Sequence, residues 1–308
     1  MLTPSESTQP RRRGRLYRAF INPEERRLRA GWRILCYVLL LVLVRLPLLP
    51  LQVFVLGMQP LPPWAERTLD YSLYLGTVLL VTWLARRFLD KRPFLDLGLR
   101  LVRGWWAELL FGAALGGVLM AGIYLVEWTA GWLEFEGFAW QRMGWNSLLP
   151  PLAAAFFTYA VVGINEELMV RGYVMQNLAE GLNMFWAVVI SSAVFGLMHL
   201  GNPHASWLSS LNLALAGAFL ASGYLVTRSL WLPIGLHFGW NLFQGTVFGF
   251  PVSGTGGFHL IRQTVAGPEW ATGGPFGPEA GLTGLLAMVV GMGLIWLYGT
   301  RNTQYGGG

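Results

Sequence analysis

Apolar positions fall into long blocks, and the stretches outside them hold 26 of the 38 Arg, Lys, Asp and Glu. A helix that crosses a bilayer needs about 20 mostly apolar residues. Eight blocks reach or approach that length: 31–57, 68–88, 104–130, 148–180, 184–200, 209–228, 231–250 and 281–300. The pattern predicts an all-α fold, a multi-pass membrane helix bundle of about eight transmembrane helices. Residues 1–30 read as a polar, basic arm with a short helix near Pro23-Glu24-Glu25. Residues 31–300 form the transmembrane domain, and 301–308 a short polar tail whose end, Tyr305-Gly306-Gly307-Gly308, reads as unstructured. Within the domain, 251–280 is rich in Gly and Pro and reads as an extramembrane loop. Gly201-Asn202-Pro203-His204 breaks a helix, either as an outside loop or as irregular backbone lining a wet cavity. No internal repeat is visible.

Composition agrees with the blocks. Of 308 residues 54% are hydrophobic and 12% charged, and mean hydropathy is +0.47. Soluble domains carry roughly 25% charged residues, so this chain lacks the charge for a polar coat. Fifteen Trp and 39 Gly suit interfacial anchoring and close helix packing. Cys36 is the single cysteine, inside the first block, which rules out an intramolecular disulfide framework and a multi-Cys metal site. That first block is too long for a signal-peptide core and no small-residue cleavage site follows it, so it reads as a retained helix.

The net charge of +6 is local. Arg11, Arg12, Arg13, Arg15, Arg18, Arg26, Arg27 and Arg29 crowd the N-terminus, and Arg86, Arg87, Lys91, Arg92, Arg100 and Arg103 form a second group. These clusters flank apolar runs, so topology and anionic headgroups explain them better than nucleic acid does, and no nucleic-acid partner is expected. The 59–67 and 131–147 loops carry one Arg each, Arg67 and Arg142. Both termini are therefore expected on the cytoplasmic side of a cell membrane. Arg45 lies inside the first block beside Pro47, read as a kinked helix facing the bundle or a snorkelling side chain.

Ionisable residues inside spanning helices are costly and mark function by default. In Asn165-Glu166-Glu167-Leu168-Met169-Val170-Arg171, Glu167 and Arg171 are four apart and share a helix face. Their plainer role is a supporting ion pair. Glu166 points elsewhere without a local partner, and an unpaired carboxylate in apolar surroundings suits a general base. Phe195 and His199 lie one turn apart in the next block, and His237 and Asn241 one turn apart in a third. With a turn near Gly181-Leu182-Asn183, Glu166 and His199 are each about 24 Å from it. His237 follows the Arg228–Pro233 turn at moderate depth. A lone buried His is usually a satisfied core residue; two at a carboxylate's level are harder to dismiss. His204 and His259 fall in break or loop sequence and receive no role. A Glu with two His activates water directly or through a metal, and Asn241 is placed to donate to an oxyanion. There is no Ser-His-Asp arrangement and no His-Glu-x-x-His run.

Glu-Glu-x-x-x-Arg, Phe-x-x-x-His and His-x-x-x-Asn, in that order on separate membrane helices, resemble the CPBP family, the type II CAAX-prenyl-protease and Abi intramembrane proteases. The resemblance covers roughly 148–250. It implies an eight-helix fold around a conical, cytoplasm-facing cavity. It also implies a catalytic role for Glu166 as the water-activating base, with His199, His237 and Asn241 completing the site and Glu167 and Arg171 supporting it. Zinc is the candidate cofactor, with His199, His237 and Glu166 as its candidate ligands, and metal dependence stays open. The implied activity is intramembrane endopeptidase hydrolysis of a peptide or membrane-protein substrate within the lipid bilayer. The chain resembles the prokaryotic members. Two alternatives remain: a non-catalytic immunity or scaffold protein of the same fold, and a proton-relay transporter. Against the transporter stands the lack of repeated halves.

Overall fold

The computed structural model describes residues 14–58 and 61–305. Arg11, Arg12 and Arg13 of the basic arm and Gly306, Gly307 and Gly308 of the tail lie outside the described residues. Helix α1 (Arg15–Phe20) leads into a minimal hairpin of β1 (Ile21–Asn22) and β2 (Arg27–Leu28). The expected helix near Pro23 is thus a turn. Asn22 Oδ1 accepts from the Glu24 backbone N–H, and Arg26 takes a left-handed conformation (φ 52°), which closes the hairpin instead of propagating a helix.

The long helices follow in the expected order. They are α2 (Ala30–Met58), α3 (Pro63–Leu84), α4 (Trp105–Thr129), α5 (Trp145–Glu167), α6 (Met175–Gly181), α7 (Met184–Met198), α8 (Trp207–Thr227) and α9 (Trp231–Asn241). After the one-turn helix α10 (Glu269–Thr272), α11 (Leu282–Tyr305) ends the chain. The bundle is an all-α membrane fold. Six helices among the described residues are long and apolar enough to cross a membrane. The other two expected spans are shorter: α7 has 15 residues, and α9 has 11 before the helix widens into a π-helical stretch, Leu242–Val247. The tail differs too, since α11 runs through 301–305.

A π-helical stretch, Leu168–Val174, joins α5 to α6 in one run of 37 residues, about 55 Å long at 1.5 Å per residue. Such wide turns gather at functional sites; this one and Leu242–Val247 follow candidate site residues, Glu167 and Asn241, while a third, Ala85–Asp90, lies at the end of α3. Helices α4 and α9 touch backbone to backbone. Gly112, Gly116, Gly235 and Gly239 line the seam, and a Cβ on any of them would collide with a backbone atom of the facing helix. Gly and other small residues at a membrane-helix interface permit this approach. It fixes His237 and Asn241, which flank Gly239. Arg45 is paired with Asp70 across α2 and α3, so it faces the bundle.

The bundle has two distinct ends. At one, Arg33 Nη1 and Arg86 Nη1 reach the two oxygens of buried Asp90 at 2.9 and 2.8 Å, and Glu180 accepts from Arg27 and Arg33. Gln176 Nε2 donates to Leu97 O and the Leu230 N–H to Gly98 O. These bonds gather the terminal arm, the 85–104 connection, the Gly181–Asn183 turn and the Arg228–Leu230 turn. At the other end, β3 (Leu133–Phe138) pairs antiparallel with β4 (Ile261–Val265). Asn202 Nδ2 donates there to Ser253 O, and Asn212 Nδ2 to Ala280 O. The 251–280 segment is therefore not a free loop: it holds β4 and α10 and packs into the helices.

Candidate active site

The structure brings Glu166, His199, His237 and Asn241 to the wall of one cavity of about 240 Å³. His199 Nε2 lies 3.9 Å and His237 Nε2 3.8 Å from Glu166 Oε2. Both distances exceed a hydrogen bond, and Glu166 Oε2 has no hydrogen-bond partner although it is out of contact with solvent. A carboxylate oxygen and two imidazole nitrogens thus surround one small gap.

The far sides of both rings are fixed. His199 Nδ1 is 2.8 Å from Phe195 O, and a carbonyl only accepts, so Nδ1 carries the proton. His237 Nδ1 is 2.9 Å from Glu167 Oε1, and the same reasoning puts its proton on Nδ1. These tautomers follow from the hydrogen-bond network. In the neutral rings each Nε2 is left with a lone pair facing Glu166. The gap is lined by acceptors, which suits a water with two protons to give or a cation.

Glu167 and Arg171 form the pair that their spacing predicts, with Arg171 Nη1 at 2.9 Å from Glu167 Oε1. Both are fully buried. Arg171 Nη2 also donates to Gly217 O at 3.0 Å, tying α8 to the site. Its guanidinium lies 4.3 Å from the centre of the Phe195 ring. Phe195 packs against the His199 and His237 rings, with centroids 4.9 and 6.2 Å away. His204 and His259 lie outside this cavity.

Sequence reading missed Tyr71, Tyr159, Ser253, Thr255 and Glu279, which also line the cavity. Tyr159 lies in an apolar block without a charged neighbour to flag it, and Tyr71 follows Asp70, whose charge is taken up by Arg45. The other three belong to the segment read as an extramembrane loop. Glu279 accepts from the Ser253 N–H at 2.8 Å and from Ser253 Oγ at 3.2 Å. Burial pushes its carboxyl above the ordinary value, and the Ser253 N–H opposes that rise.

The donor set fits zinc by type: two imidazole Nε2 atoms and a carboxylate, with each Nδ1 held by an oxygen acceptor. Among the described residues, however, no three His, Cys, Asp or Glu side chains stand close enough as placed to form a metal group.

The orientation expectations meet a geometric conflict. Toward the arm end the site is sealed, because Leu168 to Tyr173, Leu230 and Leu232 are all buried. Toward the other end the cavity continues past Tyr159, Asn202, Ser253 and Thr255. It opens opposite the described terminal segments, so cytoplasmic termini and a cytoplasm-facing cavity cannot both hold. The two were read separately, one from charge and one from resemblance, and only the packed loops relate them.

Residues 147–243 match the family model described as type II CAAX prenyl endopeptidase, Rce1-like. The uncharacterized protein YyaK of Bacillus subtilis (strain 168) is 26% identical over 215 residues, 68% of this chain and 70% of its own length. The putative membrane peptidase YdiL of the same organism is 28% identical over 133 residues, 40% of this chain and 52% of its own. The chain thus spans about half of YdiL. No solved structure matches. The family match covers Glu166, Glu167, Arg171, His199, His237 and Asn241 but stops short of Ser253 and Glu279. Residues 147–243 are thus similar to the Rce1-like, CAAX-protease-like membrane peptidases, and they sit within a multi-pass helical bundle whose relatives YyaK and YdiL are bacterial.

Proposed function

We propose that this protein is an intramembrane endopeptidase in which Glu166 activates a water held between its carboxylate and the Nε2 atoms of His199 and His237. The supporting observation is the partnerless Glu166 Oε2 facing two imidazole lone pairs at 3.9 and 3.8 Å. A water in that gap donates one hydrogen to Glu166 and the other to an imidazole, which aims its own lone pair at a substrate carbonyl. Glu166 takes the proton as the water oxygen bonds to the carbonyl carbon. The carbonyl oxygen becomes an oxyanion, and Asn241, one turn beyond His237 on the cavity wall, is the amide donor for it. The proton on Glu166 then passes to the amide nitrogen as the oxyanion re-forms the carbonyl and the C–N bond breaks, leaving a carboxylic acid and an amine and Glu166 again a carboxylate. Glu167 and Arg171 touch no substrate in this scheme. They position His237 and fix its tautomer.

Glu166, His199 and His237 are also the residues that would hold zinc. When bound, zinc would lower the pKa of a coordinated water and polarise the carbonyl. The substrate is a peptide or membrane-protein segment reaching the cavity from the bilayer or its surface.

Purified protein and Glu166→Gln are compared on a peptide library read by mass spectrometry, each with and without a chelator. Loss of a general base costs about 10²- to 10⁴-fold. Equal cleavage by the two proteins removes the peptidase reading and leaves the non-catalytic scaffold. Chelator-sensitive cleavage with stoichiometric zinc would add the metal to the scheme.

A further inference from the structure

Two features of the structure set which side of the membrane the cavity serves. The first is the direction of its opening. On four of the helices that line it, the lining reaches from the site toward the end holding β3 and β4: to Tyr159 on α5, Asn202 after α7, Leu213 on α8 and Asn241 on α9. A second cavity of about 580 Å³, bordered by Trp64, Pro150 and Phe258, lies at that same end and shares Tyr159 with the first.

The second observation is the distribution of charge between the ends. Apart from Arg45 and Arg171 inside the bundle, three cationic side chains belong to the open end: Arg67, Arg142 and Arg262. Fourteen of the described arginines and lysines belong to the sealed end, in 15–33 and 85–103 and at Arg228 and Arg301. The ion pairs of Asp90 and Glu180 show that the arm and the 85–104 connection share one face of the bundle. Lys and Arg collect in the short cytoplasmic connections of membrane proteins, and this bias sets orientation. A difference of three against fourteen across short connections is decisive by that rule. The acidic residues do not disturb it, because Asp and Glu contribute little to orientation.

We infer that the sealed, basic end is cytoplasmic and that the cavity opens to the opposite, non-cytoplasmic side. Resting on the peptidase reading, this assigns the substrate class: an exported peptide, or the extracytoplasmic stretch of a membrane protein, which enters between Tyr71, Tyr159 and the 252–255 strand bend. A cytoplasmic protein terminus has no route to Glu166, because the buried layer from Leu168 to Tyr173 and Leu230 lies between them.

The test uses full-length protein in cells with Cys36→Ala as background. Thr255→Cys, in the cavity wall, and Gly256→Cys, at its rim where a new side chain meets open space, are compared with Leu101→Cys at the sealed end. A membrane-impermeant maleimide is applied before and after permeabilisation. The expected result is full labelling at 255 and 256 in intact cells, with labelling at 101 only after permeabilisation. The reverse pattern overturns the inference, as does labelling of all three positions only after permeabilisation. A second arm offers an impermeant peptide, cleaved by the purified protein, to intact spheroplasts and to inverted vesicles. Glu166-dependent cleavage outside spheroplasts alone supports the assignment, and cleavage in inverted vesicles alone overturns it. A protein that cleaves nothing in any setting fails as a peptidase, while the labelling still reports its orientation.

Discussion

His237 and Arg171 meet on the same oxygen, Glu167 Oε1, each at 2.9 Å. One carboxylate thus neutralises a fully buried guanidinium and holds the imidazole that faces Glu166. The two adjacent glutamates have separate tasks because a helix turns about 100° per residue: Glu166 projects into the cavity and Glu167 into the packed interior. Glu167→Gln keeps a carbonyl oxygen for both donors but removes the negative charge that neutralises Arg171 and holds the His237 Nδ1–H, so it weakens the positioning of the imidazole. Loss of an outer partner of this kind costs about 10- to 100-fold. The expected outcome is a fall in kcat of that order with KM little changed. An equal loss in KM alone would mean that Glu167 serves binding.

Gly239 sits between His237 and Asn241 where α9 lies against Ala113 of α4, and an added Cβ would overlap the Ala113 carbonyl. Gly239→Ala must push the helices apart. Overpacking of this kind costs about 1–3 kcal/mol. Thermal unfolding in detergent should show that loss, with cleavage falling further than stability because both flanking site residues shift. Gly122→Ala, whose new Cβ would meet open space on α4, is the control and should change neither.

Much of this was legible in the sequence because the bilayer imposes it. Apolar block length locates helices, and an ionisable residue inside a block stands out against its neighbours. The level of Glu166 and His199 follows from counting along a hairpin, and the Glu167–Arg171 pair from the helical repeat. What escaped depends on tertiary packing. Glu279 and Ser253 lie in Gly- and Pro-rich sequence without periodicity, and only the pairing of β3 with β4 and the contacts of Asn202 and Asn212 fold that segment over the cavity. The direction of the opening was hidden for the same reason, since no local pattern tells which loops pack inward.

Asp90 is the hub of the sealed end. Its side chain is fully buried, and it accepts from Arg33, Arg86 and Tyr173. Asp90→Asn leaves two buried guanidinium groups short of a counter-charge, and removing one partner of a buried pair costs about 3–5 kcal/mol. A drop in melting temperature is expected, with the α2 and α3 ends becoming sensitive to protease. A variant as stable as the parent would mean that Glu180 alone holds Arg33 and Arg27.

Glu279 supplies a pH signature outside the membrane-spanning helices. Burial outweighs the Ser253 hydrogen bonds and holds its carboxyl above the ordinary value of 4.5. In the unfolded chain the group ionises near that ordinary value, while in the folded protein it keeps its proton to higher pH. The folded state therefore binds more protons, and stability falls as pH rises above 4.5 until the folded group has ionised too. Glu279→Gln removes the ionisation but keeps an oxygen for the Ser253 N–H. Melting temperatures of the two proteins should coincide at acidic pH and diverge toward pH 8, with the glutamine variant the more stable. A variant less stable at both ends of that range would mean that the ionised carboxylate, held by Ser253, is the form the fold prefers.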